Sequence, residues 1–236
     1  MISFTSYASS SKGNLYTLSD PQETILIECG LPIKEIKKAL NFKLSDISFC
    51  LLSHLHADHS RAIKDIMKVG IDVYTSQGTI DGLGLKGHRV HAVQPGKQLA
   101  LGKWIVLPVE TQHDAPEPLG FLIYNRDTRE KMLFATDTFY LKNTFSGLNI
   151  IAVECNYSAG ILAQNVSAGL VPTELKKRLL RSHFEMSNVK KFLLANDLSQ
   201  VKEIYLIHLS EINSNAELFK SEIQKITGKV VIVCDS

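Results

Sequence analysis

Apolar residues arrive in short bursts along this chain, and the spacing inside each burst predicts what it forms. ISFTSY, NLYTL and TILIEC near the start are β-rich runs of strand length. After Pro32, the residues Ile33, Ile36 and Leu40 fall at helical spacing in IKEIKKAL. ISFCLL is an apolar run of buried-strand length; it leads into SHLHADHS, and RAIKDIMKV then returns to helical spacing. Strands are predicted at IDVYTS, HRVHAV, KWIVLPV, GFLIYN, KMLFAT and IIAVEC, and helices at TELKKRLLRS and NVKKFLLAN. The chain ends strand, helix, strand in VKEIYLIHLS, NAELFKSEIQKI and KVVIVC. The stretch 156–171 (NYSAGILAQNVSAGLV) shows no clear period. It is read as a loop over a site or as a contact with another copy, which leaves a homo-oligomer open.

Many strands with a few helices between them predict an α+β fold, two β-sheets packed face to face with helices outside. A length of 236 residues suits one domain over 1–236. Each polar cluster of interest falls at the end of an apolar strand-like run, where functional groups are usually placed on a rigid scaffold.

Composition narrows this only slightly. Lys+Arg 26 against Asp+Glu 24 gives +2, which neither demands nor excludes a nucleic-acid partner. The start MISFTSYASSSKGN lacks the long apolar run of a signal peptide, and no apolar run is long enough to cross a bilayer. A cytoplasmic protein with no membrane partner is expected. Cys29, Cys50, Cys155 and Cys234 contain no CxxC pair. Three of them sit in apolar strand-like runs and read as free buried thiols; Cys155 lies beside candidate site residues.

The chemistry centres on His54-Leu55-His56-Ala57-Asp58-His59, an HxHxDH pattern. Two imidazoles two residues apart at a strand end can share one metal, while Asp58 and His59 beyond a tight turn can face another. Imidazole nitrogen with carboxylate oxygen suits zinc, manganese or iron. Chance yields this pattern on the order of once in a few thousand such chains. Two metal sites need more ligands, and His113, Asp137 and His208 stand at three further strand ends. Singly, each has an ordinary explanation as a hydrogen-bonded or turn-capping residue; as a set behind HxHxDH they read as ligands. His88 and His91 alternate on one strand and read as structural. His183 follows the basic helix TELKKRLLRS and reads as a helix-end residue, an outer-shell residue or a general acid.

Together these segments resemble the metallo-β-lactamase superfamily and, more narrowly, its YycJ/WalJ-like branch, related to tRNase Z. The resemblance runs over nearly the whole chain. SSSKGN is similar to the family's serine-glycine-asparagine loop, TILIECG to its early strand, LLSHLHADHS to the metal loop, and HDAPEPLGF to the segment bearing the third His. FATDTF, VECNYS, HFEMSN and LIHLSEINSN resemble the later motifs. The resemblance implies an αββα sandwich and a metal-dependent hydrolase with two divalent ions per chain, zinc or manganese. It places His54, His56 and His113 on one ion, Asp58, His59 and His208 on the other, and Asp137 between them. Glu154 and His183 become a catalytic acid pair, with Asp58 also counted in the catalytic set. Four positions depart from the family: Glu28 stands for Asp, Phe139 for Gly, Tyr157 for His, and HFEMSN lacks the leading Gly. None removes a ligand.

Two metal ions lower the pKa of a bridging water and neutralise charge in an in-line displacement. That chemistry serves phosphodiesters, lactones and thioesters alike. The branch implies a nuclease and 5′-to-3′ action on DNA rather than RNA. Lys176, Lys177, Arg178 and Arg181 before His183, with Lys190 and Lys191 after it, could hold a phosphate backbone. Lys177 and Arg181 are the substrate-binding candidates. A small-molecule hydrolase acting on a cyclic nucleotide, dinucleotide, lactone or thioester is the alternative, and a non-catalytic metal-binding module stands behind both.

Overall fold

A computed structural model of the chain describes residues 1–234. They divide into two compact units: Met1–Glu110 with Ala115–Glu130, and Thr111–Asp114 with the residues from Lys131 onward.

The first unit is built on a six-stranded sheet of β1 (Ser3–Ser10), β2 (Gly13–Ser19), β3 (Thr24–Ile27), β4 (Ile47–Leu51), β5 (Asp72–Thr75) and β6 (Val90–Ala92), in that order. The first three strands pair antiparallel, and β3 through β6 pair parallel. Parallel strands are covered on both faces and therefore read as continuous apolar runs; ISFCLL is such a run. Leu26, Cys50 and Val73 from these strands pack with Ile36 of α1 (Ile33–Ala39) and Ile66 of α3 (Ile63–Lys68) in one buried cluster. Two more helices belong to the unit, α2 (Ala57–Ser60) and α4 (Gln77–Leu83). The strands β7 (Leu99–Leu101), β8 (Trp104–Glu110) and β9 (Leu119–Asn125) form an antiparallel meander. Trp104 is fully buried there, and its indole N–H donates to Glu23 Oε2 at 3.1 Å.

The second unit holds four parallel strands, β10 (Lys131–Ala135), β11 (Ile150–Glu154), β12 (Glu203–Ile207) and β13 (Val230–Val233). Four helices connect or flank them: α5 (Ala159–Ser167), α6 (Thr173–Ser182), α7 (Met186–Ala195) and α8 (Ala216–Thr227). The caps are explicit in the sequence. Asn215 accepts from the Leu218 N–H to start α8, and Gly228 at φ 65° ends it. Glu185 does the same for Ser187 at the start of α7.

Most predicted elements appear where the periodicity places them. The predicted helix RAIKDIMKV is interrupted: the Ala62 N–H turns to the carbonyl of Cys29 at 3.0 Å, and the helix restarts as α3. The unread stretch 156–171 contains α5, of which Leu162 alone is buried, packed with Tyr157, Val171 and Leu179. Helix α4 escaped the periodicity because it contains Gly78 and Gly82, both poor helix formers. Among the described residues no helix is long and apolar enough to cross a membrane, and all four cysteines are free and buried.

Candidate metal centre

In the first unit, β4 ends at Leu51 and the chain turns into the loop that carries His54 and His56. His59 and Asp58 follow on α2, a helix of four residues. The rings of His54 and His59 lie 4.2 Å apart and those of His54 and His56 4.7 Å apart. His54 Nε2 faces His56 Nδ1 at 3.1 Å, and His54 Nδ1 is held by the Ser53 hydroxyl at 2.8 Å. The Ser60 hydroxyl donates to the carbonyls of Leu55 and His56 and so fixes the turn.

A buried layer supports this loop. Glu28 is fully buried, accepts from the Ser53 N–H at 3.1 Å through Oε1, and places Oε2 3.3 Å from His59 Nδ1. A carboxylate behind a histidine fixes which ring nitrogen carries the proton and leaves the other for a metal. Residue 28, Glu where the resemblance has Asp, adopts a left-handed backbone, φ 63°. Asn14 donates to the carbonyl of Asp58 at 3.1 Å and lies 3.2 Å from His59 Nε2. Gly30 is required by crowding, since a Cβ there would sit 1.7 Å from the carbonyl oxygen of Asp58.

In the second unit the polar residues cluster at the carboxyl ends of parallel strands, the usual place for a site in such a sheet. Asp137 lies two residues past β10, Glu154 is the last residue of β11, and His208 follows β12. The register pairs Glu154 with Ile207, which brings His208 beside it. Asp137 and His208 both have positive φ, 38° and 53°. Left-handed backbone at such residues costs roughly 1–3 kcal/mol each and gathers at functional sites.

Asp137 divides its two oxygens. Oδ1 lies 3.3 Å from His208 Nδ1, and Oδ2 lies 3.3 Å from His113 Nε2. The His113 ring has a fixed tautomer, because its Nδ1 lies 2.7 Å from the carbonyl of Ser182 at the end of α6. A carbonyl only accepts, so Nδ1 carries a proton, and Nε2 is the nitrogen that could bind a cation. Nε2 faces Asp137 Oδ2 at 3.3 Å and Asp114 Oδ1 at 3.1 Å. Electron-rich atoms converging on one point fit a cation between them, and the nitrogen and oxygen donors fit zinc or manganese.

Glu154 has a different task. Asp137, Glu154, His183 and His208 each offer a ligand atom, all within 4.8 Å of one another. The Glu154 oxygens, however, are already engaged. Oε2 accepts from the N–H groups of Thr138 and Phe184 at 2.9 and 3.0 Å, and Oε1 lies 2.6 Å from His183 Nδ1 and 3.2 Å from His208 Nδ1. Burial alone would push the Glu154 carboxyl up, but the facing His183 ring and its hydrogen bond hold it below its ordinary value. Burial likewise opposes the charged form of His183, and the Glu154 charge outweighs it and raises the ring. The two stabilise each other as carboxylate and imidazolium.

The basic helix behaves unevenly. Lys177 pairs with Glu174 at 2.8 Å within α6, Arg178 pairs with Asp114 at 2.7 Å, and Arg181 is exposed. His91 contacts Asp72 at 3.1 Å and stacks on Tyr74, in keeping with a structural role. Sequence reading missed Ser182, Asp114, Asn14 and Ser53 as supports. The SSSKGN motif could have pointed to Asn14, but a backbone carbonyl leaves no trace in sequence.

These two candidate ligand sets, carried at the ends of parallel strands, are of the kind found in metal hydrolases. The Beta-lactamase superfamily domain matches residues 23–208, and the chain belongs to this superfamily as a hydrolase of the metallo-β-lactamase fold. The α+β class and fold expected from sequence therefore hold. The chain is 25% identical over 238 residues to the exodeoxyribonuclease YycJ of Bacillus anthracis, covering 94% of this chain and 88% of that protein. The metallo-beta-lactamase fold protein YhfI from Bacillus subtilis superposes with a TM-score of 0.76 at 15% identity, covering 100% of this chain and 98% of YhfI. The short form of human tRNase Z superposes with a TM-score of 0.66 at 13% identity, covering 100% of this chain and 97% of that one.

Proposed function

We propose that this chain is a phosphodiesterase that cleaves nucleic acid, DNA in preference to RNA, with two divalent ions per chain. The observation that carries this reading is Asp137, whose two oxygens each face a different histidine at 3.3 Å. His54, His56 and His113 are the proposed ligands of one ion, and Asp58, His59 and His208 of the other, with Asp137 shared. The whole chain, 1–236, is proposed to act as one domain, since the ligand motifs are spread along its length. When bound, such a pair of ions supplies a nucleophile near neutral pH and neutralises phosphate charge.

The protein's own groups do the rest. Glu154 orients His183 through Nδ1, which leaves the proton on Nε2 for the departing oxygen. Asp58, 22% exposed, is proposed to accept a proton from the attacking water. Lys177 and Arg181 on α6 are proposed to hold the phosphate backbone. DNA is favoured by the 25% identity to an exodeoxyribonuclease over 94% of the chain. Four free buried thiols suit a reducing compartment such as the cytoplasm. The test is turnover of DNA, RNA and cyclic nucleotides side by side at equal zinc or manganese. Cleavage of DNA ahead of the others is expected. Turnover of cyclic nucleotides alone would replace this reading with a small-molecule phosphodiesterase.

A further inference from the structure

The first unit carries an open cavity of about 400 Å³ that the chemistry above does not use. Its floor includes Met67 of α3 and Leu85, and its walls are Lys64 and Lys68 of α3 with Lys86 and Arg89 from the segment between α4 and β6. No acidic side chain lines it. Lys68 is partly balanced by Asp65 at 3.7 Å, and Arg89 by Asp72 at 3.0 Å. Lys64 and Lys86 are exposed and make no ion pair among the described residues.

The topology puts this cavity away from the metal loop. The metal loop leaves the carboxyl end of β4, and β5 runs parallel to β4 with Phe49 opposite Asp72. Helix α3 joins those two strands, so it runs back toward their amino ends. Arg89 immediately precedes β6, and its bond to Asp72 sets it level with the first residue of β5. The cavity therefore opens toward the amino end of the parallel strands, whereas the metal loop leaves their carboxyl end.

Its chemistry selects a ligand class. Two uncompensated ammonium groups attract an anion of more than one negative charge. Arg89 gives one arm of its guanidinium, NH1, to Asp72, and the remaining donors of the planar fork suit a phosphate. The Met67 and Leu85 floor accepts a flat apolar face, and the volume lies within the ~300–1,000 Å³ of ordinary small-molecule sites. Gly87, at φ 115°, has a backbone conformation closed to other residues, and a Cβ there would meet nothing within 4 Å.

We propose that this cavity is a second phosphate site that binds a nucleotide, its phosphate on Lys64, Lys86 and Arg89 and its base on the apolar floor. The nucleotide is either free or one unit of a nucleic-acid strand. The proposal does not depend on what the metal centre cleaves.

The experiment is calorimetric titration of the full chain with AMP and, separately, with a short single-stranded oligodeoxynucleotide carrying non-cleavable linkages. Hydrogen exchange maps each complex. Binding of AMP with protection of residues 64–68 and 84–89 is expected, weakened at least roughly tenfold in a Lys64→Glu/Lys86→Glu variant of unchanged melting temperature and metal content. If only the oligonucleotide protects those residues, the proposal stands with the strand as the phosphate source. Should the charge-reversed variant fold poorly, Lys64→Gln/Lys86→Gln is expected to show the same loss in smaller degree. Absence of binding by both probes, protection confined to residues 54–59, or equal affinity in a folded variant would overturn it.

Discussion

His183 Nδ1 lies 2.6 Å from Glu154 Oε1, and the same carboxylate takes two backbone N–H groups on its other oxygen. The carboxylate is therefore held by the backbone as well as by the histidine, and it holds the ring in one orientation. His183→Ala is expected to keep its metal and its substrate affinity but to turn over ~10²–10⁴-fold more slowly. The defect should shrink on a substrate whose leaving group needs no proton. Elemental analysis, binding and kinetics on both substrates check this; a variant that lost metal would make His183 a ligand instead.

Purified without chelator, the protein is expected to hold about two divalent ions per chain. Asp137→Ala should lose metal and abolish turnover, because its two oxygens face His208 and His113, both proposed ligands, at 3.3 Å. The fold should persist in far-ultraviolet circular dichroism, since the side chain touches the site rather than the apolar core. Near-normal activity in that variant would remove Asp137 from the centre.

How much of this was legible in the sequence follows from what each interaction is made of. ISFCLL and IIAVEC read as buried strands because both faces of a parallel strand are covered. His54, His56, Asp58 and His59 were legible because their spacing is improbable by chance. Helix α5 was not, since Leu162 is its one buried residue and leaves no apolar stripe. The support of His113 was not legible either: Ser182 supplies a carbonyl from 69 residues away, and any residue has a carbonyl. Arg178 read as a phosphate contact in a basic run, yet its guanidinium is spent on Asp114 beside His113.

Acid stability has a separate anchor. Burial would push the Asp20 carboxyl up, but Lys103 at 2.7 Å, the N–H groups of Gln22 and Glu23, and Asn125 lower it to about 2. A depressed carboxylate stabilises the fold above its ordinary value near 4, and that stability is lost as pH falls through about 2. Asp20 is almost fully buried, so the contribution at neutral pH is about 2 kcal/mol. Asp20→Asn should melt well below the parent at pH 7, and the gap should close toward pH 2. A gap that stays constant with pH would assign the loss to packing rather than to charge.

The basic residues of α6 separate into three expected behaviours, because the structure gives each a different neighbour. Arg181 is exposed, so Arg181→Glu should weaken binding to every DNA sequence alike and lower the slope of log affinity against log salt by about one contact. Lys177 is held by Glu174 at 2.8 Å, so part of its charge is already compensated. Lys177→Glu should therefore act in the same direction as Arg181→Glu but lower the salt slope by less. Arg178→Ala should act elsewhere: it frees Asp114, whose Oδ1 lies 3.1 Å from His113 Nε2. Its expected signature is weaker metal retention with an unchanged salt slope. Filter binding across a salt series, paired with metal analysis of each variant, distinguishes the three. Salt-insensitive activity in the parent protein would remove α6 from the substrate path altogether.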